Sequence, residues 1–293
     1  EGLVASLSGK YVFPMTAQLE KSLGAIDMTA HINKLNLNHI GHYLPIQTPE
    51  ELRNWLTGAL RGGVAKDVDI KVKGDLAQFP FQVTSLRDKL NGQFSVLGKI
   101  ENGKLEYVPG SFGKEGNTPL WPLLEEVNGT ISFDRNRMEI KADRAKTHGV
   151  ELSNVKAVIP DLLSNDLLLQ IDGNAEGVLQ EFLAYTVDSP VSDWIARFTD
   201  ETKASGNAKL RLKMALPLDH MSDAKVQGSL QFVNNDVTLQ NAMPPLLATT
   251  GKLEFNERGL TISGVKANFL GGPVTISGGS QRDGSLVIKA EGI

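Results

Sequence analysis

The stretch Leu210–Leu218, LRLKMALPL, carries an apolar side chain at every second position. Successive side chains of a β-strand point to opposite faces of the sheet, whereas a helical pattern repeats roughly every 3.6 residues. The stretch therefore predicts a strand with one apolar face, formed by Leu210, Leu212, Met214, Leu216 and Leu218. Pro217 suits an edge or the end of a strand, where the missing N–H is tolerated. The question that follows is what covers the apolar face.

The same alternation recurs along most of the chain, in segments that are separated by Gly, Asn and Asp. Such segments predict antiparallel hairpins, with turns at FDRNRM, FVNNDV and FNERGL. A pattern of Gly, any residue, an apolar residue, any residue and Phe occurs at Gly129–Phe133, Gly228–Phe232 and Gly251–Phe255. We therefore expect a mainly β fold, built as an elongated and twisted antiparallel sheet with a few short bracing helices.

Amphipathic patterns predict helices near 49–60 and 177–199, and a shorter one in the segment PLWPLLEEV. In the first, Thr48 is expected to cap the helix and Gly62–Gly63 to end it. The helices would brace the outside of the sheet or plug part of its mouth. We expect a β-segment over 1–175, a helical insertion over 176–200 and a continuing β-segment over 201–293, in one elongated module.

Composition excludes several classes of function. The 293 residues carry a net charge of −4 and no basic cluster longer than KVK, so no nucleic acid is expected as a partner. The chain has no cysteine, which excludes disulfides, thiol catalysis and cysteine-bound zinc. No run of about 18 apolar residues is present, so no membrane span is expected. The chain starts without Met or a signal peptide, and we expect a mature form or a piece of a longer protein.

No arrangement of residues points to catalysis. His31, His39 and His42 lie close in sequence, but no acidic ligand is interleaved, and we expect neither a metal site nor a cofactor. Ser-x-x-Lys matches at Ser153–Lys156 and Ser222–Lys225 lack the companion motifs of β-lactamases. The prediction is a non-enzymatic protein. An esterase or glycosidase on a β scaffold stays open, because paired carboxylates can lie far apart in sequence.

Two arrangements would satisfy the apolar faces of the predicted strands. In a closed β-sandwich, two sheets would cover each other, as in an envelope module that binds protein or carbohydrate. In a curved sheet, the concave side would stay half open as a hydrophobic groove that holds an apolar ligand. The side chains expected to line such a groove are Phe79, Phe81, Phe94, Ile131, Phe133, Met138, Ile140, Leu210, Leu212, Met214, Leu216, Leu230, Phe232, Val237, Leu239, Leu253, Phe255, Leu260, Ile262, Val274, Ile276, Leu286 and Ile288.

Several segments occur in an order that resembles a known family. Tyr43–Gly63, YLPIQTPEELRNWLTGALRGG, is followed by Gly74–Phe81, GDLAQFPF. Further on come NGQFSVLGKIENGKLEYVPG, LWPLLEEVNGTISFDRNRMEI, LRLKMALPLD and FLGGPVTI. Together these segments resemble the AsmA-like family, specifically its long YhdP-type members, over residues 40–292.

The resemblance implies a bridge-like lipid-transfer protein of the Gram-negative envelope. Members of the family are anchored in the inner membrane and carry phospholipid acyl chains along a long β-groove across the periplasm. The resemblance therefore implies a non-enzymatic conduit, with phospholipids and the inner and outer membranes as partners. This chain lacks the anchor and is too short to bridge an envelope, so it is expected to be a periplasmic fragment. Burying a methylene group gains about 0.8 kcal/mol, which suits a groove of Leu, Ile, Phe and Met.

Overall fold

The structure, a computed structural model, describes residues 3–13, 23–44, 50–82, 91–113, 116, 118–195, 197–281 and 285–292. The strands are β1 (Leu3–Val12), β2 (Ala25–Asn36), β3 (Leu60–Asp75), β4 (Gly92–Leu105), β5 (Leu124–Asp134), β6 (Arg137–Thr147), β7 (Val150–Ile159), β8 (Leu168–Val178), β9 (Lys203–Ala204), β10 (Asn207–Pro217), β11 (Lys225–Thr238), β12 (Leu246–Asn256), β13 (Gly259–Phe269), β14 (Gly272–Ser280) and β15 (Leu286–Gly292). The α-helices are α1 (Glu50–Ala59), α2 (Leu179–Val187) and α3 (Val191–Trp194), and short 3₁₀ helices span Leu37–His42, Leu76–Gln78 and Met221–Asp223.

All the strands belong to a single antiparallel sheet. Strands that follow each other in sequence lie side by side, except that the short β9 pairs with β11 and leaves β8 next to β10. Within the described residues, β1 pairs only with β2 and β15 only with β14, so the sheet is open at both edges. The expected mainly β, antiparallel fold is confirmed. The closed sandwich is wrong, because no second sheet is present in the described part of the chain.

The pairing register places the alternating apolar residues on one face. Leu210 of β10 lies opposite Leu230 of β11, which lies opposite Leu253 of β12, and Leu253 lies opposite Ile262 of β13. Directly opposed residues of an antiparallel pair point to the same side of the sheet. We call this side the apolar face and the other side the polar face.

β-Bulges preserve this division where the register shifts. Asp67, Asn102, Glu126, Asn154 and Asn234 each have a φ between 48° and 58° and lie at or inside a shift in strand pairing. A bulge adds one residue to one strand, bends that strand and increases its twist. It also shifts the alternation by one position, so that apolar residues on both sides of the bulge stay on the apolar face.

One of these bulges corrects a sequence prediction. The segment FVNNDV is not a turn, because β11 continues through it from Lys225 to Thr238 with a bulge at Asn234. Turns and bulges both need residues that tolerate a positive φ, so Asn-Asn fits either structure. The turns predicted at FDRNRM and FNERGL are confirmed, because β5–β6 and β12–β13 are joined there.

The helix predictions are confirmed in part. Helix α1 and the pair α2 and α3 lie where helices were predicted, although Thr48 lies outside the described residues. Gly62–Gly63 does not end α1, because β3 already begins at Leu60 and contains both glycines. PLWPLLEEV is not a helix: its second half starts β5, where Leu124 pairs with Leu105 of β4. Pairing between β4 and β5 outweighs the local helical pattern there.

The α-helices α1, α2 and α3, together with the 3₁₀ helix Leu37–His42, lie at one rim of the sheet. They follow β2 and β8 or precede β3, and in an antiparallel meander these strand ends fall on the same side. We call this the helical rim and the opposite one the hairpin rim. Leu179 of α2 packs with Phe232, Val265 and Ile276 in a buried cluster, with Phe182 against it. Helix α2 therefore covers part of the apolar face, rather than bracing the polar one.

His148 connects α2 to the sheet. It lies in the β6–β7 turn, where its Nε2 atom is 2.6 Å from Oδ2 of Asp188 and its Nδ1 atom is 3.5 Å from Oε2 of Glu181. Partial burial lowers the pKa of His148, but the hydrogen bonds to Asp188 and Glu181 outweigh this effect and leave the pKa raised. The protonated imidazole thus holds both ends of α2 near the sheet.

The glycines of the repeated Gly-x-apolar-x-Phe pattern lie on the apolar face and accommodate a neighbouring strand. An added Cβ would overlap the backbone of Lys141 at Gly129, the ring of Phe255 at Gly228 and the side chain of Val265 at Gly251. Each glycine therefore allows close packing against the adjacent strand.

We predict that Gly129→Ala destabilises the protein by about 1–3 kcal/mol, because the β5 and β6 backbones would have to separate. The matched control is Gly62→Ala, where the new Cβ would lie 3.6 Å from the Cβ of Lys104, an ordinary contact. Urea denaturation followed by circular dichroism measures both. Equal stabilities for the two variants would contradict the close approach at Gly129.

We predict that the His148 contact loses strength as the pH rises. The raised pKa means that its contribution is complete below the unfolded-state pKa of about 6.5 and disappears as the pH rises through the folded-state pKa. Between pH 6 and pH 9, wild type should lose about 0.5–1 kcal/mol more stability than His148→Gln. Parallel denaturation curves at several pH values test this, and identical pH dependence in both proteins would refute it.

Candidate functional site

The apolar face is continuous across the sheet. One row passes through six neighbouring strands by direct pairing, and its members are Leu7, Ala30, Ile70, Val96, Phe133 and Met138. Most side chains of this face in β4 to β12 are half-buried, although no second sheet lies over them within the described residues. Shielding by neighbours on the same bent sheet accounts for this intermediate exposure. The face is thus a half-open apolar surface.

The apolar rows contain no charged side chain among the paired strand residues that the structure describes. Lysines, arginines and carboxylates of the strands point to the polar face, as in the β8–β10–β11 row of Glu176, Lys209 and Gln231. A charged group in these rows would have no opposite charge beside it and would lose hydration. Charged side chains are therefore confined to the polar face among the paired residues of the described strands.

The structure gives three environments to the residues predicted to line a groove. Phe81, Phe232, Val274 and Ile276 are buried, and the last three belong to the cluster under α2. Phe79 and Ile288 are exposed. The remaining predicted residues are half-buried: Phe94, Ile131, Phe133, Met138, Ile140, Leu210, Leu212, Met214, Leu216, Leu230, Val237, Leu239, Leu253, Phe255, Leu260, Ile262 and Leu286.

Sequence reasoning left out side chains that share this face. Met28, Ile70, Val96 and Ile171 occupy the same rows as the predicted residues. The alternation in β2 and β3 was a clear signal for the first two. In β8 the signal is weaker, because Gly173 and Ala175 follow Ile171 in the apolar positions and lower the contrast between the faces.

A group of phenylalanines lies at the hairpin rim, at the connection between β3 and β4. The ring of Phe79 lies 4.9 Å from that of Phe94 and 5.9 Å from that of Phe81. Phe81 is almost completely buried over Gly74 and Gly92, which leave room for its ring. The apolar surface therefore extends to this rim, where the Phe79 side chain is exposed.

Aromatic residues also connect the elements of the helical rim. The Tyr107 and Tyr185 hydroxyls are 2.9 Å apart, and burial raises the pKa of Tyr107. Trp121 packs 5.8 Å from Tyr107 and 5.6 Å from Trp194, while Trp55 donates a hydrogen bond to the Tyr107 carbonyl oxygen. Helices α1, α2 and α3 are therefore joined along one side of the apolar face.

The polar face is organised by ion pairs between strands. Glu139 of β6 contacts Arg137 at 2.8 Å, Lys141 at 3.1 Å and Lys156 of β7 at 3.4 Å. Hydrogen bonds from Arg137 and Lys141 lower the pKa of Glu139 to about 2. Lys213 and Asp172 form a similar pair between β10 and β8. Ion pairs of this kind connect neighbouring strands on the polar face.

The described residues contain no cluster of His, Asp and Glu that could hold a metal ion. His39 and His42 stack with ring centroids 6.0 Å apart, whereas His31 pairs with Asp69. None of the described helices is long and apolar enough to cross a membrane.

Comparison with known proteins gives two matches. The YhdP protein family matches residues 6–293. The chain is also 26% identical over 234 residues to the protein named Intermembrane phospholipid transporter YhdP of Escherichia coli (strain K12), and the alignment covers 78% of this chain. It covers 16% of that protein, so the chain spans only a small part of this relative. No solved structure matches. Because the family match extends over nearly all 293 residues, this chain belongs to the YhdP family.

Proposed function

We propose that this chain is a segment of a conduit that binds phospholipid acyl chains along its apolar face and passes them between two membranes. The observation that carries the proposal is the continuous, uncharged and half-open face that crosses the strands, with no second sheet over it in the part of the chain that the structure describes. An exposed apolar surface of this extent marks a binding surface. The name of the Escherichia coli relative, an intermembrane phospholipid transporter, supports a phospholipid as the ligand.

The dimensions of the sheet suit this ligand. Neighbouring strands lie about 4.8 Å apart, so the path from β1 to β15 is about 60 Å long. One half of a bilayer's hydrocarbon core, and therefore one acyl chain, is about 15 Å thick. Several lipids would fit in sequence along the face, and each buried methylene group would gain about 0.8 kcal/mol. This gain depends on apolar area, so the groove itself would not select a headgroup.

The two rims would determine how a bound lipid is oriented on the sheet. Tails would lie on the apolar rows, while headgroups would extend past the rims into water, because the described rows offer a charged headgroup no charged side chain to replace its hydration. Helix α2 covers the rows near Phe232 and Ile276, so the lipid path there would be narrower than in β5 to β8. The residues proposed to carry lipid are therefore the half-buried ones, above all Ile131, Ile140 and Met214.

The wider setting is supported by the family resemblance and by the name of the Escherichia coli relative. We propose that the chain works in the periplasm, as part of a longer inner-membrane-anchored protein that connects the inner and outer membranes. The transfer itself would make and break only apolar contacts, so it needs no catalytic residue. A hydrolase on this scaffold would leave the apolar rows unexplained, and nothing in the described geometry favours it.

Site-specific photo-crosslinking tests the lipid path directly. A photoreactive amino acid is placed at Met214, on the apolar face, or at the adjacent Lys213, on the polar face of the same strand. We expect phospholipid adducts in cells at Met214 and none at Lys213. Phe232 is a poorer position, because it is buried under α2. A folded protein without adducts at Met214 would overturn the proposal.

A charge on the apolar face should interrupt transport without unfolding the sheet. Ile131→Asp introduces it on a half-buried position, and Thr130→Asp introduces the same charge one residue away, beside Lys99 and Lys141 on the polar face. We expect Ile131→Asp to reduce copurifying phospholipid at least fivefold, since acyl chains cannot hydrate the carboxylate. Mass spectrometry of bound lipid and thermal unfolding measure the two effects. Equal lipid content in both folded variants would contradict the path.

A further inference from the structure

A hollow of about 500 Å³ lies on the polar face of β1 to β4, and the lipid path does not account for it. Two adjacent rows of side chains line it. One contains Ser8, Thr29, Lys71 and Ser95, and the other contains Ser6, His31, Asp69 and Leu97. Leu7, Ala30 and Ile70 lie between these rows with their side chains on the apolar face, so their backbone forms the floor.

The hollow exists because short side chains are surrounded by long ones. On one side is the row of Lys10, Asp27 and Lys73, in which Lys73 and Asp27 form an ion pair at 2.8 Å. On the other side is the row of Lys34, Lys66 and Lys99. Between these charged rows, the short side chains of Ser6, Ser8, Thr29 and Ser95 leave the polar face indented beside the longer ones of His31, Asp69, Lys71 and Leu97. Volumes of this size are typical of small-ligand sites.

The lining offers both hydrogen-bond donors and acceptors. Each hydroxyl group can donate one hydrogen bond and accept two, which is the same capacity as that of a sugar hydroxyl. The Nδ1 atom of His31 lies 2.8 Å from Oδ1 of Asp69. A carboxylate only accepts hydrogen bonds, so Nδ1 is the donor in this contact and Nε2 is the ring nitrogen left for a ligand.

The net charge of the lining and its exposed apolar residue limit the chemical class of ligand that could bind in the hollow. Lys71 is balanced by Asp69 in the neighbouring row, so the lining has no net charge when His31 is neutral. Leu97 is 55% exposed, although it lies on the polar face. An uncharged ligand with many hydroxyl groups and an apolar ring face would satisfy both features. A polyanion would need an excess of cations, whereas Lys71 is matched by Asp69 in the lining and the bordering Lys66, Lys73 and Lys99 are paired with Glu101, Asp27 and Asp67.

We propose that this hollow binds a carbohydrate, an uncharged oligosaccharide chain that lies across β1 to β4. Its sugar hydroxyls would bond to Ser6, Ser8, Thr29 and Ser95, and the C–H face of one ring would pack on Leu97. Three strand spacings give the site a length of about 14 Å, enough for a short oligosaccharide. The site does not depend on the lipid path, because the two lie on opposite faces of the sheet.

The test uses the 293-residue chain and chitotetraose and maltotetraose as probes, measured by saturation-transfer difference NMR. We expect binding of at least one probe. Thr29→Val should weaken it about three- to tenfold by removing one hydrogen bond, and Leu97→Asp should weaken it at least as much. The matched control is Thr275→Val, an exposed position on the polar face of β14, which should bind like wild type.

Three results would overturn the proposal. One is the absence of signal from both probes at millimolar concentration with folded protein. Another is binding that Thr29→Val and Leu97→Asp leave unchanged. The third is preferential binding of dextran sulfate that requires Lys71 and disappears with salt, which would indicate a polyanion site instead. Lipid crosslinking at Met214 is scored separately in the same variants, so failure of the carbohydrate site and failure of the lipid path can be distinguished.

Discussion

Strand register is the constraint on which the rest of this structure depends. Side chains alternate strictly along a strand, so a slip of one residue between two strands would move a whole set of apolar side chains to the polar face. The observed register avoids this along the meander, as in the pairing of Leu210 with Leu230 and of Ile131 with Ile140. The result is a sheet with one uncharged face and one ion-paired face, and each proposed site uses one of them.

The bulges maintain this division of side chains between the two faces where the strands bend. Asp67, Asn102 and Asn234 take positive φ values and shift the alternation where the strands bend, so that apolar residues beyond the bulge stay on the same face. Without them, a long strand would either stay straighter or expose its apolar side chains on the wrong side. Curvature and apolar continuity, which a lipid path needs together, therefore have a common origin.

The glycines and the rim helices adjust how much of the apolar face stays open. Gly129, Gly228 and Gly251 let neighbouring backbone or side chains come close, which makes the sheet surface dense without a second layer. Helix α2 covers the cluster around Phe232, and His148 ties that helix to the β6–β7 turn. An element of the helical rim, helix α2, thus covers one stretch of the apolar face.

The sequence by itself determined the strands and their faces, because alternation is a local property: LRLKMALPL could only be a strand with one apolar side, and most of the predicted inward residues do share one face. It also determined two of the three helical regions and the family resemblance.

Local pattern was ambiguous at Asn234–Asn235, where a bulge and a turn need the same residues, and at PLWPLLEEV, where pairing of Leu124 with Leu105 outweighs helix propensity. Only the tertiary structure decided that, among the described residues, the strands form one sheet with no second sheet against it. It also decided that Phe81 and Phe232 are covered while Met214 is half-buried, and that Ser6, His31 and Asp69 lie in one row. These outcomes depend on contacts between residues far apart in the chain, and the alternation of side chains within a single strand does not predict such contacts.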